Sequence, residues 1–475
     1  MGPVPTGHGL PLKIAKTLGL AGGNRPSSKM NALQPQNAKI VYLTAGAGGM
    51  FCGSCMHDNA LATAMQRSGW DLQLVSTYTP IRTDEPDVSV DHVLFGGLNV
   101  YLQQKVPLLR FLPAAMDRFL DNPNLIRRVT EKAMNTDPKT LGTLAVSMLR
   151  GTLGNQRKEV FQMVKWLELA KPDVLIFTNA LIGGCIPELK RQLNIPVIVT
   201  LQGDDVFLDS LLPKYRQRCV ELVQANSEFV DAFIVHSEFY RDYMADYFSL
   251  DRAKFFVTPL GLDVDQYYSA LEVKDKSQRS EFNIGYLARL APEKGLHNLV
   301  DGFIELKQRP GTEHVKLKIA GWQSPQWQEY NDQQWGKLSE AGLADQYENL
   351  GTLDRGAKLN FLNSLDVFSV PTEFLEPKGL YALEAMAAGV PVIAPAHGAF
   401  VELLNSTRGG ILTQPGSAKA WADAVERLVG DVDLRERLAQ RGQQSVHFER
   451  NAAAMATSTG KVVAAVLAIF RSGSS

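Results

Sequence analysis

The chain has 475 residues, 45% of them apolar, with 49 Lys and Arg against 50 Asp and Glu. That length predicts two or three domains at ~150 residues each, and the formal charge of -1 provides no global field for holding nucleic acid. A charged fraction of 21% argues against bulk disorder, and the longest uninterrupted apolar run, Val462 to Phe470, is short of the ~20 residues that span a bilayer.

Four cysteines (Cys52, Cys55, Cys185, Cys219) are too few for a disulfide framework, so a reducing, cytoplasmic setting is expected. Residues 1–37 are rich in Gly, Pro, Ser and Asn and read as a flexible leader. From Ala38 the pattern changes. Lys39 to Ala45 is a β-branched and aromatic run followed by Gly46, Gly48 and Gly49, then by a helical pattern over Asn59 to Gln66. Leu72 to Ser76, Val174 to Thr178, Pro196 to Leu201, Ala232 to His236 and Phe255 to Thr258 read as further strands, with helices such as Phe161 to Ala170 and Pro187 to Leu193 between them. Short apolar strands alternating with helices make a parallel sheet covered on both faces.

The alternation restarts with the strand Asn283 to Leu287, the helix Leu296 to Leu306 and the strand Val315 to Ala320, then Val367 to Val370, Leu380 to Ala388 and Val390 to Ala394. The fold class is therefore α/β, with two Rossmann-like doubly wound domains facing each other across a cleft: 38–258 and 259–447, divided at the turn-rich stretch Pro259 to Asp265. An Ala-rich helix within 448–475 is expected to pack back on the first domain. Ligands of such sheets bind outside the carboxyl ends of the strands.

Gly46-x-Gly48 invites a dinucleotide-binding reading, but Phe51 stands where a third small residue is needed, and the next strand ends in Val75-Ser76-Thr77 with no acid for a ribose. The second domain carries more. Its first strand runs into Arg289 and then Pro292-Glu293-Lys294-Gly295, which places two cations beside a helix start, a good diphosphate clamp. In Val370 to Pro395, seven residues separate Glu376 from Glu384, and Gly379 opens the helix that carries Glu384. Ionised carboxylates are acceptors only, which suits sugar and ribose hydroxyls; backbone amides at Lys378 to Tyr381 suit a phosphate.

These segments resemble the retaining glycosyltransferases of family 4, of the GT-B fold. The resemblance is carried by GYLARLAPEKG (Gly285 to Gly295), the Glu376-x7-Glu384 element with its LEAMAAGVPVI continuation, GTLDRGAKLNFLNSLDVFSVPTE and VTPLGLDVDQY. It is strong over Val257 to Gly430 and looser in the first domain, where GAGGMFCGSCMHDNALATAM looks like the acceptor-side glycine loop and first helix. The resemblance implies a metal-independent, retaining transfer from a nucleotide-sugar to an acceptor hydroxyl, the acceptor being a saccharide, a lipid or a small molecule. Arg289 and Lys294 would hold the diphosphate and neutralise the departing nucleotide, Glu376 would meet the donor sugar and Glu384 the ribose. Gly379 and Leu380 would offer amides to the phosphate, with Gly285 counted among the donor-binding residues. No cofactor or metal is implied, the nucleotide-sugar being a substrate, and Asp263-Val264-Asp265 is read as a boundary turn. Retention would come from front-face attack, with the leaving phosphate helping to take the acceptor proton.

On the acceptor side the candidates are Gly48, Gly49, His57, Asp58, Gln202 and Asp204. Gln202 stands where many relatives place a histidine; it can orient a sugar but cannot shuttle a proton. Asp204 and Asp205 read as turn carboxylates before bases. Cys52-x-x-Cys55-x-His57 lacks the further ligands of a tetrahedral site, which favours packing over metal or redox chemistry. Lys105 to Ala170 carries 11 Lys and Arg against 6 Asp and Glu. It reads as a basic insertion before it reads as a peripheral contact with the inner face of a membrane. The alternatives to a transferase are a nucleotide-sugar 2-epimerase of the same architecture and an inactive sugar-nucleotide-binding module.

Overall fold

A computed structural model describes residues 38–46, 53–94, 138–268 and 280–473. The expected leader, Gly48, Gly49 and Cys52, and 105–137 of the basic stretch lie outside the described residues. The chain divides into two compact units, one running to Pro259 and resuming at Met455, the other spanning Leu260–Ala454.

Among the described residues of the first unit, seven strands form one parallel sheet: β1 (Lys39–Thr44), β2 (Asp71–Ser76), β3 (Ser89–Val93), β4 (Val174–Phe177), β5 (Val197–Thr200), β6 (Ala232–Val235) and β7 (Phe255–Val257), in the order β3-β2-β1-β4-β5-β6-β7. Runs such as VLIF in β4, VIVT in β5 and AFIV in β6 are buried at every position, as helices on both faces require of a parallel sheet. The direction of winding reverses between β1 and β4, and the carboxyl ends there form the topological switch point.

The described half of the basic stretch is not an appendage. Helices Pro138–Leu149 and Arg157–Ala170 send Leu149, Val160, Met163, Val164 and Leu167 into the core of this unit, while Arg157 and Lys165 stay exposed. Gly142 lets the first of these helices lie against Tyr215, whose ring would be 2.4 Å from a Cβ at that position.

The last helix, Ala452–Gly473, is long and apolar enough by composition to cross a membrane. Its apolar side is instead buried in protein through Met455, Val462, Val463 and Val466. Gly460 lies against Trp70, Lys190 sits 5.0 Å over the Phe470 ring, and Arg471 pairs with Asp173 at 3.2 Å. The return to the first unit starts at Met455 rather than at 448. Val446 and His447 are buried in the second unit, with His447 Nε2 2.9 Å from the Ala387 carbonyl, and Asn451 bridges to Leu262.

In the second unit the described strands are β8 (Phe282–Leu287), β9 (Val315–Ala320), β10 (Tyr347–Asn349), β11 (Val367–Ser369), β12 (Val392–Pro395) and β13 (Gly410–Thr413), in the order β10-β9-β8-β11-β12-β13. All their pairings are parallel. The winding reverses between β8 and β11, so the segments leaving these two strands meet at one place.

Candidate donor and acceptor-side sites

Lys294 follows β8 and Glu376 follows β11, so the switch point brings together residues 82 positions apart in sequence. Lys294 ends the short turn Pro292–Lys294, and Gly295 follows it with φ +70°. No other residue fits there: a Cβ would lie 1.7 Å from the Pro371 carbonyl oxygen. The Tyr286 hydroxyl, buried under this turn, donates to the carbonyls of Arg289 at 3.2 Å and Lys294 at 3.3 Å. Lys294 Nζ is 3.2 Å from Glu376 Oε2, with the two side chains only 14% and 5% exposed. The same ammonium sits 4.4 Å from the Phe374 ring centroid and 5.0 Å from that of Tyr381, a cation–π cradle that holds the charge in place.

Glu376 is the hub of this cluster. Tyr381 donates its hydroxyl to Oε2 at 2.7 Å, and the Gly379 amide donates to Oε1 at 3.1 Å. Burial on its own would raise the carboxyl pKa; the Lys294 charge and these two donors outweigh it and hold the group below its ordinary value. Gly379, at φ +73°, starts helix Leu380–Ala387 without a side-chain cap, and the Glu376 carboxylate supplies the negative charge that a helix N-terminus favours. Ala, Leu, Met and Glu make LYALEAMA a strong helix former.

Glu384 lies on that helix among buried Ala382, Leu383, Ala385 and Met386. Its Oε1 accepts a hydrogen bond from Lys358 Nζ at 2.6 Å, and each side chain is 8% exposed. Arg289 lies apart from both pairs. Its guanidinium is 44% exposed and meets Glu293 one helical turn on at 3.1 Å.

In the first unit the switch point is occupied by Asp58, from helix Gly53–Arg67. It is fully buried. Its Oδ1 accepts from the Tyr42 hydroxyl at 2.5 Å and Gln202 Nε2 at 2.9 Å, and its Oδ2 from the Thr44 and Thr178 hydroxyls at 2.7 and 2.5 Å. His57 Nδ1 lies 3.1 Å from Oδ1. Burial would push this acid up; the His57 contact and the hydroxyl donors overcome it and hold Asp58 below its ordinary range. The His57 ring also packs 4.5 Å, centroid to centroid, from His236, whose Nδ1 faces the Thr258 carbonyl at 2.9 Å. Asp204 is buried and accepts from the amides of Ala180 at 2.7 Å and Gln202 at 3.1 Å. Burial pushes its pKa up to about 7, against those two amide bonds.

Two family descriptions match the chain. Glycosyltransferase Family 4 matches residues 140–266, and Glycosyl transferases group 1 matches residues 271–445. Between them these matches support a family 4 glycosyltransferase. Among curated relatives, D-inositol 3-phosphate glycosyltransferase of Paenarthrobacter aurescens (strain TC1) is 30% identical over 233 residues, covering 48% of this chain and 56% of that one. Phosphatidyl-myo-inositol mannosyltransferase of Mycobacterium leprae (strain TN) is also 30% identical, over 193 residues, covering 40% and 48%. The chain thus spans about half the length of these two relatives. Among solved structures, sucrose-phosphate synthase from Thermosynechococcus elongatus superposes with a TM-score of 0.63 at 19% identity, over 90% of this chain and 98% of that one. That likeness establishes the two-domain Rossmann-like α/β fold.

Against this family-4 frame, the structure gathers Lys294, Glu376 and Gly379 into one hydrogen-bonded cluster. Leu380 opens the adjoining helix, which also carries Glu384. Gly285, expected among the donor-binding residues, lies inside β8, where a Cβ would meet Leu365 at 2.1 Å; its glycine requirement is one of packing. The Gly379 amide, expected to meet phosphate, is committed to Glu376. On the acceptor side, Asp58 and Gln202 turn inward. The carboxylate is saturated by donors from β1 and from the segments after β4 and β5, and the Gln202 amide donates to Asp58 and to Thr178. His57 is buried at 1% exposure. Asp204 is bonded to two backbone amides. Cys55 is buried within its helix, and no group of three or more His, Cys, Asp and Glu suited to a metal occurs among the described residues.

Sequence reasoning missed Lys358, Tyr381 and Tyr286. Tyr381 stands next to Leu380 in the motif itself, and Lys358 within GTLDRGAKLNFLN. Both were visible as residues, and neither carried a spacing that announced its partner.

Proposed function

We propose that this chain is a retaining, metal-independent glycosyltransferase that takes its sugar from a nucleotide-sugar donor bound by the second unit. The observation that carries the reading is the buried Lys294–Glu376–Tyr381 cluster, built beyond the carboxyl ends of β8 and β11, where open α/β sheets bind their ligands. Lys294 and the solvent-facing Arg289 contact the diphosphate and stabilise the charge that develops on the leaving nucleotide, a task that fixed cations perform without proton transfer. Glu376 accepts hydrogen bonds from sugar hydroxyls and Glu384 from the ribose. The departing phosphate takes the acceptor proton on the same face, which gives retention without a protein nucleophile.

A thermal-shift screen against UDP, GDP, ADP and their sugars identifies the donor, since a ligand that binds the native state raises its stability. Both relatives carry inositol in their names, so the acceptor screen begins with inositol phosphates. Arg289→Gln is the cleanest test, because among the described residues this exposed guanidinium pairs with Glu293 alone. The variant should unfold within about 0.5 kcal/mol of wild type and lose roughly 100-fold or more in turnover. Near-normal turnover, or a rate abolished by a chelator, refutes the proposal.

A further inference from the structure

We infer that Lys358 is a positioning residue for the nucleotide end of the donor: its ammonium pins the Glu384 carboxylate for a ribose diol, and so sets a preference for ribonucleotides over 2′-deoxyribonucleotides. The inference rests on the donor-site reading of Glu384 given above. Lys358 lies on helix Arg355–Asn363, whose other inward-facing side chains, Phe361 and Leu362, are apolar and buried. An inward lysine on such a face is costly. A buried ion pair is often no more stable than apolar residues of the same volume, so packing alone gives no reason for a cation here. Its partner lies 26 residues away on a different helix, Leu380–Ala387, and is equally out of place among alanines, Leu383 and Met386. The two charges meet at 2.6 Å, with 8% of each side chain exposed.

The consequence is geometric. A glutamate on a helix reaches its target through three torsions, and an unrestrained carboxylate would have to be ordered by each incoming ligand. With Oε1 anchored to Lys358, the plane of the carboxylate is set before the ligand arrives. Two oxygens offer about four acceptor sites, enough for the ammonium and both hydroxyls of a ribose. The pair is thus pre-organised for a vicinal diol, and a ligand lacking the 2′-hydroxyl forfeits a hydrogen bond to a charged group, worth about tenfold in affinity or more.

The test is calorimetric titration of the full chain with UDP, GDP and ADP, each against its 2′-deoxy counterpart. Wild type should prefer the best ribonucleotide about tenfold or more over its deoxy form. Lys358→Met should weaken ribonucleotide binding by a similar factor, leave the deoxy form nearly unaffected and bring the ratio towards one. Lys358→Arg should restore most of the preference. In turnover, the methionine variant should raise the donor KM and leave kcat within a few-fold. An unchanged ribo-to-deoxy ratio in folded Lys358→Met overturns the inference and leaves the pair as a fold element. If that variant does not fold, the ratio in Lys358→Gln decides: a loss supports the inference, an unchanged ratio overturns it. A wild type that binds none of the nucleotides defeats the donor-site reading itself, and the inference with it.

Discussion

Replacing Lys294 by methionine keeps an apolar chain of similar length and deletes the charge that lies over the Phe374 and Tyr381 rings and 3.2 Å from Glu376. Because the Glu376 side chain is 5% exposed, water does little to compensate, and breaking such a pair costs about 3–5 kcal/mol. The Tyr381 hydroxyl and the Gly379 amide still bond the carboxylate, which places the expected loss at the lower end, about 3 kcal/mol. For a unit of this size that lowers the unfolding midpoint by roughly 6–12 °C. In wild type Glu376 titrates below its ordinary value of 4.5. Its stabilisation is therefore present above the unfolded pKa and lost as pH falls through the folded one. Without Lys294, burial dominates and the folded pKa rises above the unfolded value. The contribution then changes sign: present in acid, it disappears as pH climbs through the new pKa. The deficit of the variant should accordingly be largest near neutral pH and shrink towards pH ~4. Thermal unfolding followed from acid to neutral pH reads it directly. A deficit under about 1 kcal/mol at neutral pH, or one that grows on acidification, would show that Lys294 does not compensate a buried carboxylate. Adding Glu376→Leu to the variant should recover much of the stability, because no buried charge then remains.

Asp58→Asn replaces an acceptor of four donors by an amide that brings N–H groups of its own to the hydroxyls of Tyr42, Thr44 and Thr178. Urea unfolding should show a loss of about 3 kcal/mol or more, and a change under ~0.5 kcal/mol would dismiss the hub. Gly295→Ala forces a Cβ to within 1.7 Å of the Pro371 carbonyl at φ +70°; the left-handed backbone alone costs ~1–2 kcal/mol, so the unfolding midpoint should fall, and an unchanged midpoint would exclude the close approach. The outcomes for Arg289→Gln and Lys358→Met complete the set, the first reading turnover at constant stability and the second reading ribose discrimination.

The strands that carry the fold were legible because each is a local signal. VLIF, VIVT and AFIV are short β-branched or aromatic runs bounded by turns, and the parallel sheet that buries them on both faces leaves no polar alternation to confuse the pattern. β3, β10 and β13, all edge strands, escaped notice. Three residues, YEN, and four, GILT, sit at the two edges of the second sheet, where pairing with a neighbour, rather than composition, makes a strand. Lys294, Glu376 and Glu384 could likewise be read from turn chemistry and spacing, because a glycine-flanked turn and a helix start are local events.

What no local pattern could supply was the direction in which each polar side chain points. Asp58 and Gln202 looked like ligand-facing groups after a glycine loop and a strand end. The structure turns them on each other across 144 residues, because a buried carboxylate must collect its donors from whichever strand ends the sheet order brings beside it. Lys358 finds Glu384 in the same way, from one helix to another. The near-neutral sequence of 475 residues thus determined two α/β units and the residue types of the proposed donor site. Tertiary structure alone decided which charges are paired in the interior and which, like Arg289, remain exposed, since the cost of burying a charge depends on neighbours that only the fold brings into contact.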